Sequence, residues 1–335
     1  MKLHESDIDF VVLYVDGNDV EWQKKKALYN PDFATDISPS RYRDWDILKY
    51  WFRGVAKYAP WVRKIHLVTD NQAPEWLNSD NPHLHLVNHS DYMPNAALPV
   101  FNSSAIEVGI HKIDDLSNKF VHFNDDVIVT KHIDPNHYYE NGLPIDMAGF
   151  TPPQTAKAKN VFSNAVKNNL DVLNGYFDKT EVTKKNFRKI YKPSYGKTFI
   201  RTLLNSGRKT FDGIVMPHLS TPYLKRDFER VWDREPDALI NTQHHKFRHE
   251  EDLTHLVFRW WRMCEGDFYP RRSKGKYFAL KDKKSLNKIV RAIKNNKYPE
   301  ICINDCWESL EYVWAKDKLI DAFEEILPEK CEYEK

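Results

Sequence analysis

The run IDFVVLYV, Ile8 to Val15, is apolar at almost every position and rich in β-branched residues. Such a run marks a strand covered on both faces. It closes on the turn Asp16-Gly17-Asn18-Asp19. Three further runs repeat the pattern: KIHLVT (Lys64 to Thr69) ending at Asp70-Asn71, Leu84 to Val87 ending at Asn88-His89, and FVHF (Phe120 to Phe123) ending at Asn124-Asp125-Asp126. Helical patterns lie between them. Asp44 to Tyr58 carries apolar residues at Trp45, Leu48, Trp51, Phe52 and Val55 before Pro60, and a helix capped by Ser103 or Ser104 is expected to run through Leu116, with Ile106, Ile110 and Ile113 on one stripe. Buried strands alternating with amphipathic helices predict an α/β, Rossmann-like fold around a mostly parallel, doubly wound sheet.

Asp16, Asp19, Asp70, Asp125 and Asp126 each follow the carboxyl end of a predicted strand, the edge at which open α/β sheets take ligands. Five acids on one rim predict an electronegative pocket. Asp and Asn are also favoured turn residues, so Asp19 and Asp70 taken alone fit either reading. The triplet Asn124-Asp125-Asp126 behind a buried strand points to function.

The chain has 335 residues, 50 Lys+Arg against 48 Asp+Glu, 41% hydrophobic residues and four cysteines. This length divides into an α/β core (1–150), a basic helical insertion (151–212) and a C-terminal part (213–335). A formal charge of +2 argues against a nucleic-acid binder, and no run of about 18 apolar residues suggests a spanning helix. The start, MKLHESDIDF, shows no charged-then-apolar leader, and Cys264, Cys302, Cys306 and Cys331 are too few for a disulfide scaffold; a reducing cytoplasm is expected. Residues 151–210 hold 13 Lys+Arg against 3 Asp+Glu, either a solvated face or a surface for an anionic polymer or membrane phosphates. The tail from Asp305 is the reverse, with 10 acids against 4 bases.

Three later features stand out. Met216-Pro217-His218 precedes a stretch read as helical from Tyr223 to Trp232. Phe247-Arg248 precedes a helix opened by His249, Glu250, Glu251 and Asp252, with Leu253, Leu256, Val257, Trp260 and Trp261 inward and Gly266 as its stop. Ile301 to Asp305 is a short buried run, and Glu308 stands three residues after Asp305, the spacing of a capping box for a helix carrying Leu310, Val313, Trp314, Ile320 and Phe323. Composition alone reads Asp305 as that cap.

No G-x-G-x-x-G, P-loop, H-E-x-x-H or G-x-S-x-G motif survives inspection. What remains is an acid-rich rim with His218 and Arg248. Carboxylate and amide oxygens suit Mg2+ or Mn2+, such a cation suits a diphosphate, an Arg neutralises phosphate, and a His exchanges a proton with a hydroxyl. That inventory reaches a nucleotide-sugar enzyme and no further.

The ordered motifs resemble one family. DFVVLYVDGNDVEW (Asp9 to Trp22), the run from Arg41 to Leu77, and LPVFNSSAIEVGIHKIDDLSNKFVHFNDDV (Leu98 to Val127) are similar to the first two conserved regions of the Stealth family. Met216-Pro217-His218 through Phe247-Arg248 is similar to the third, and Cys302-Ile303-Asn304-Asp305-Cys306 to the fourth. The family comprises hexose-1-phosphate transferases, among them bacterial capsular polysaccharide phosphotransferases. The resemblance implies a GT-A-like core and transfer of a sugar-1-phosphate from a UDP-sugar to a hydroxyl of a capsular polysaccharide or oligosaccharide acceptor, releasing UMP. It implies Asp16, Gly17, Asp19, Arg43, Asp70, Asn102, Glu107, Asn124 and Asn304 as substrate-binding, and His218, Arg248, Asp305 and Asp126 as catalytic. Asp125 and Asp126 would hold Mg2+ or Mn2+. Asp305 becomes a site residue that can also be a cap. Tyr14 departs from the family, whose members often carry Thr-Trp before Val-Asp-Gly.

On this reading His218 accepts the acceptor's proton and Arg248 stabilises charge on the phosphoryl oxygens. Membrane contact would be peripheral at most, at the inner face. Two rivals stay open at the level of sequence: a metal-dependent glycosyltransferase releasing UDP, and a non-catalytic glycan-binding protein motivated by 13% aromatic residues.

Overall fold

The computed structural model describes residue 4 and residues 7–29, 43–154, 161–307 and 311–335. In chain order its first half comprises β1 (Ile8–Leu13), α1 (Val20–Tyr29), α2 (Leu48–Tyr58), β2 (Ile65–Thr69), β3 (Leu84–Asn88), α3 (Ser103–Glu107), β4 (Lys119–Phe123), β5 (Val127–Val129), β6 (Tyr139–Glu140) and β7 (Leu143–Asp146). Residues 161–205 supply α4 (Val161–Tyr176), α5 (Lys179–Lys185), α6 (Phe187–Ile190) and α7 (Lys197–Asn205). The remainder is β8 (Thr221–Leu224), α8 (Lys225–Trp232), α9 (Pro236–His244), α10 (Leu256–Glu265), β9 (Tyr269–Pro270), β10 (Lys276–Leu280), α11 (Lys283–Lys294), β11 (Glu300–Asp305) and α12 (Tyr312–Ile326).

The central sheet has the order β3-β2-β1-β4-β8, parallel from β3 to β4 and antiparallel at β8. It is the expected α/β, mostly parallel sheet. Its strands are mostly apolar because successive side chains feed opposite layers, and the buried Asp9 among them is paired with Arg63 and the Ser117 N–H. Phe10, Val12, Leu67, Val121 and Phe123 point into a core with α2, α11 and α12, whereas Val11, Val68 and Phe120 point into a second core with α4, α8 and α10. A smaller sheet, β10-β11-β5, and a three-stranded ribbon, β6-β7-β9, complete the strands. The segments read from sequence share these cores: α4 packs Leu170 and Leu173 beside Trp260, and β8 completes the central sheet.

Several elements differ from expectation. β1 stops at Leu13, so Tyr14 and Val15 leave the ladder. The helix expected from Asp44 begins at Leu48, because the Asp44 carboxylate accepts the Asp46 N–H in a turn and Asp46 is left-handed at φ 54°. Asn102, not Ser103 or Ser104, caps α3. That helix ends at Glu107 rather than Leu116, near Gly109, which has poor helix propensity and lies so close to Gln243 that a Cβ there would be 2.7 Å from its amide. Tyr223 lies on a strand, not a helix; β8 is an edge, where Pro222 is tolerated.

His249 to Asp252 do not open α10, since the Asp252 carboxylate accepts the His249 N–H in a separate turn and the helix starts at Leu256. Gly266 does end it, at φ 84°. On α12, Val313 and Trp314 are exposed, while Ala315, Leu319, Ala322 and Phe323 are buried. Asp305 does not cap that helix: its carboxylate accepts the Trp307 N–H and pairs with Arg43. Glu308 and Leu310 lie outside the described residues. Among those described, no helix is long and apolar enough to cross a membrane.

One buried ion cluster joins the layers. Asp146, at the end of β7, accepts from Arg259 (2.7 and 2.9 Å) and Arg262 (3.1 Å), both on α10. Arg262 also donates to Asp227 of α8 and to the Pro222 carbonyl, and Arg259 donates to the Val215 carbonyl. Burial favours the neutral acid, but the two guanidiniums outweigh it and hold the Asp146 carboxyl below its usual range. Asp146→Asn should leave both arginines short of an anion and cost roughly 3–5 kcal/mol of unfolding free energy. Chemical denaturation would measure it, and a loss below about 1 kcal/mol would rule out the joining role.

Candidate active site

A cleft of about 800 Å3 opens at the carboxyl edge of the central sheet, a volume suited to a nucleotide-sized ligand. Leu13, Tyr14 and Val15 leaving β1, Asp70 after β2, and Asn124, Asp125 and Asp126 after β4 line it. Because β8 runs antiparallel, its amino end lies at the same edge, where Thr221 pairs with His122, and this brings Met216 to Leu219 into the wall. The turn Asn124–Asp126 is where the chain leaves the central sheet. The Val127 N–H closes it on the Asn124 carbonyl, β5 then pairs with β11, and the Ile303 N–H donates to the Asp126 carbonyl at 2.8 Å. Asn304 and Asp305, at the end of β11, are thereby carried to the aspartate pair.

Ten residues singled out from sequence line this cleft: Arg43, Asp70, Glu107, Asn124, Asp125, Asp126, His218, Arg248, Asn304 and Asp305. Four do not. Asp16 and Gly17 lie in the turn after Val15, where the Asp16 carboxylate accepts the Asn18 N–H and the Gly17 carbonyl accepts from Gln23. Asp19 caps α1, accepting from the Glu21 and Trp22 N–H groups, and also binds Gln72. Buried Asn102 caps α3 and donates to Asp252 at 2.9 Å, tying the loop that presents Arg248 to the helix that presents Glu107.

The cleft's charges divide into paired and unpaired. Asp70 pairs with Lys25 at 2.7 Å and Asp305 with Arg43 at 3.3 Å. Arg248 donates to the Ser103 hydroxyl and faces Glu107, whose carboxyl burial pushes up to about 7 against the pull of Arg248. Asp125 and Asp126 have no ion pair among the described residues. Asp125 faces the open cleft, yet enclosure by the walls, with Asp126 and Asp44 as like-charged neighbours, raises its carboxyl. Desolvation raises Asp126 too; its Oδ2 accepts from the Cys302 thiol, and its Oδ1 is buried without a partner. An orphaned carboxylate oxygen beside a second unpaired acid fits a hard divalent cation. The only three His, Cys, Asp or Glu ligand atoms converging within 4.8 Å among the described residues belong to His245, His249 and Glu251, outside the cleft lining. A cation on Asp125 and Asp126 would therefore complete its shell with substrate oxygens and water.

His218 faces the cleft with its backbone in the left-handed region, φ 51°, and its ring lies 5.0 Å from that of Tyr277. Crowding on the wall and the nearby Arg259 guanidinium lower its pKa, which favours neutral imidazole. Asp44 and Arg259 are among the lining residues that sequence reasoning missed. Asp44, raised by burial and neighbouring acids, was read only as a helix start. Arg259 carried a legible signal, since with Arg262 it interrupts the apolar run of a buried helix at a spacing of three.

The fold and cleft define an α/β protein with an acid-lined ligand cleft, and comparison with known proteins places it further. The profile of Stealth protein conserved region 2 matches residues 41–145. The chain is 37% identical over 332 residues to the capsular polysaccharide phosphotransferase WcwK of Streptococcus pneumoniae, covering 98% of each. It is 37% identical over 332 residues to the exopolysaccharide phosphotransferase cps2G of Lactiplantibacillus plantarum, covering 98% of this chain and 96% of that one. Among solved structures it is similar to the galactosyltransferase LgtC, with a TM-score of 0.39 and 10% identity over 97% of this chain and 98% of that one. The chain belongs to the Stealth family of phosphotransferase enzymes.

Glu107 gives a pH test of the site. Its carboxyl titrates near 7 when folded against an ordinary 4.5, so the folded state holds a proton that the unfolded state releases between those values. Stability from this group is complete below pH 4.5 and is lost as pH rises towards 7. Glu107→Gln, which mimics the neutral acid, should flatten that decline in denaturation midpoints measured at pH 5 and 7.5; an unchanged slope would assign the decline elsewhere.

Proposed function

We propose that the chain transfers a sugar-1-phosphate from a UDP-sugar to a hydroxyl of a capsular polysaccharide or oligosaccharide acceptor, forming a phosphodiester and releasing UMP. The observation that carries this reading is the grouping in one cleft of a neutral-leaning His218, the cation Arg248 and the unpaired acids Asp125 and Asp126. The phosphotransferases WcwK and cps2G, aligned along nearly the whole chain, support it. A reducing cytoplasm at the inner membrane face is the proposed setting, consistent with four free cysteines.

The acceptor oxygen attacks the phosphorus bearing the sugar, and the bond from that phosphorus to the UMP oxygen breaks. His218 takes the hydroxyl proton on its unprotonated ring nitrogen. Arg248, steadied by Ser103 and by the loop that Asn102 ties down, faces the non-bridging oxygens on which charge gathers. Asp125 and Asp126 would hold Mg2+ or Mn2+, which when bound supplies charge neutralisation of the diphosphate. Arg43 and Asp70 bind the donor along the rim, with Asp16, Gly17 and Asp19 in the turn after Val15; Asn124, Asn304 and Asp305 contact it from the sheet junction, and Asn102 acts through the Arg248 loop.

Incubation with UDP-hexoses, Mg2+ and capsule-type oligosaccharides should yield UMP and a phosphodiester, resolved by chromatography. Release of UDP would instead establish a glycosyltransferase. Activity should disappear on chelation with EDTA and return with added Mg2+; turnover unaffected by exhaustive chelation would remove the cation from this reading.

His218→Ala should lower kcat about a hundredfold or more with donor affinity retained. The base is active when neutral, so kcat/KM should fall as pH drops through a value below 6.5, and this acid limb should be absent from the residual activity of the variant. An identical limb in both proteins would exclude His218 as the base.

A further inference from the structure

The cations of residues 161–209 have unequal duties. Lys179, Lys189 and Lys192 donate to backbone carbonyls, and Lys167 and Lys184 pair with Asp171 and Glu181. Lys197, Arg201 and Lys209 are exposed, and their side chains make no ion pair or hydrogen bond among the described residues. Lys197 and Arg201, four residues apart, flank one face of α7, and Lys209 follows the helix. That helix packs through Thr198 and Thr202: the Thr202 hydroxyl accepts the Phe150 N–H, and a Cβ added at Gly149 would fall within 2.8 Å of both threonines. The opposite face carries Ile200, Leu203 and Leu204, 57%, 49% and 79% exposed, at positions that share one side of a helix. Phe187, 58% exposed, and Arg188 on α6 add a further apolar and cationic pair.

We infer that α7 is an interfacial helix that docks the enzyme on an anionic phospholipid surface. Unpaired lysine and arginine beside an aliphatic stripe are the composition of helices that lie in the headgroup plane, with the apolar side chains entering the acyl boundary and the cations meeting lipid phosphates. An anionic glycan fits less well, because the stripe offers neither aromatic faces for sugar stacking nor polar groups for hydroxyls. A second copy fits less well, because apposing this face on itself brings its cations together, and one short helix falls far below the ~800 Å2 per partner of a stable interface. The placement has a consequence for the cleft. α7 rests on Gly149 and Phe150, which pair with Val215 and Ile214, and that segment leads directly into Met216-Pro217-His218. Docking would hold at the lipid surface the element that stands behind the His218 loop.

The test is flotation of the full chain with vesicles of phosphatidylcholine alone and of phosphatidylcholine with phosphatidylglycerol. The protein should float with the anionic vesicles only, and less so at high salt. Leu203→Ser combined with Leu204→Ser should reduce binding about tenfold or more, as should Lys197→Glu combined with Arg201→Glu, with unaltered thermal unfolding. No flotation of the parent, or binding by both variants equal to the parent, would overturn the inference. So would a concentration-dependent dimer in sedimentation that the leucine variant abolishes without any vesicle binding. Flotation is read without turnover, so this inference stands or falls separately from the proposed reaction.

Discussion

The Asp146 carboxylate, gripped by Arg259 and Arg262, is the interaction on which the rest of this architecture turns. Charges removed from water are tolerable only when closely paired, and further donors of the two arginines go to Asp227 and to the carbonyls of Val215 and Pro222, with the Arg262 Nε–H and Asp227 Oδ1 left without a hydrogen-bond partner among the described residues. Those acceptors belong to β8, to the helix after it and to the extended segment that enters the His218 loop. Fixing one carboxylate thus fixes the seam between β7, the edge strand β8 of the central sheet and helices α8 and α10. Arg259 continues into the cleft wall, where its charge helps keep His218 neutral.

The cleft itself forms where two sheets part. β4 ends against the centre of the molecule, the chain turns through Asn124–Asp126, and β5 joins β11, whose own end carries Asn304 and Asp305. Opposite charges satisfy each other along most of the rim, as in Lys25 with Asp70 and Arg43 with Asp305. At the turn they do not. Asp125 and Asp126 face each other's charge, their carboxyls are raised, and one oxygen has no partner, so the turn stores an electrostatic cost that a bound cation would relieve.

Much of this was legible before the structure. Runs such as IDFVVLYV announce strands covered on both faces, and acids placed directly after them fall at the carboxyl edge by topology alone. Where local reading failed, a short-range hydrogen bond or a neighbouring layer had overridden periodicity. Asp46 adopts a left-handed conformation and delays α2; Gly109 approaches Gln243 beyond the early end of α3; Tyr223 joins β4 as an edge strand despite a helix-like neighbourhood. Asp44 was invisible as a site residue because burial and neighbouring acids, not identity, give it its place in the cleft, whereas Arg259 was legible only as a charge interrupting an apolar helix.

The amino-acid sequence by itself determined the strand set, the mostly parallel α/β class and the acid-bearing edge, because side-chain period and turn chemistry act over a few residues. Only the tertiary structure decided that β8 runs antiparallel and so carries His218 to that edge, that Asn102 serves the Arg248 loop from behind, and that Lys197 and Arg201 face outward around an aliphatic stripe while Lys179 and Lys189 are consumed inside. These are questions of which distant groups become neighbours. Pairing of charges and loss of water are settled by that long-range packing.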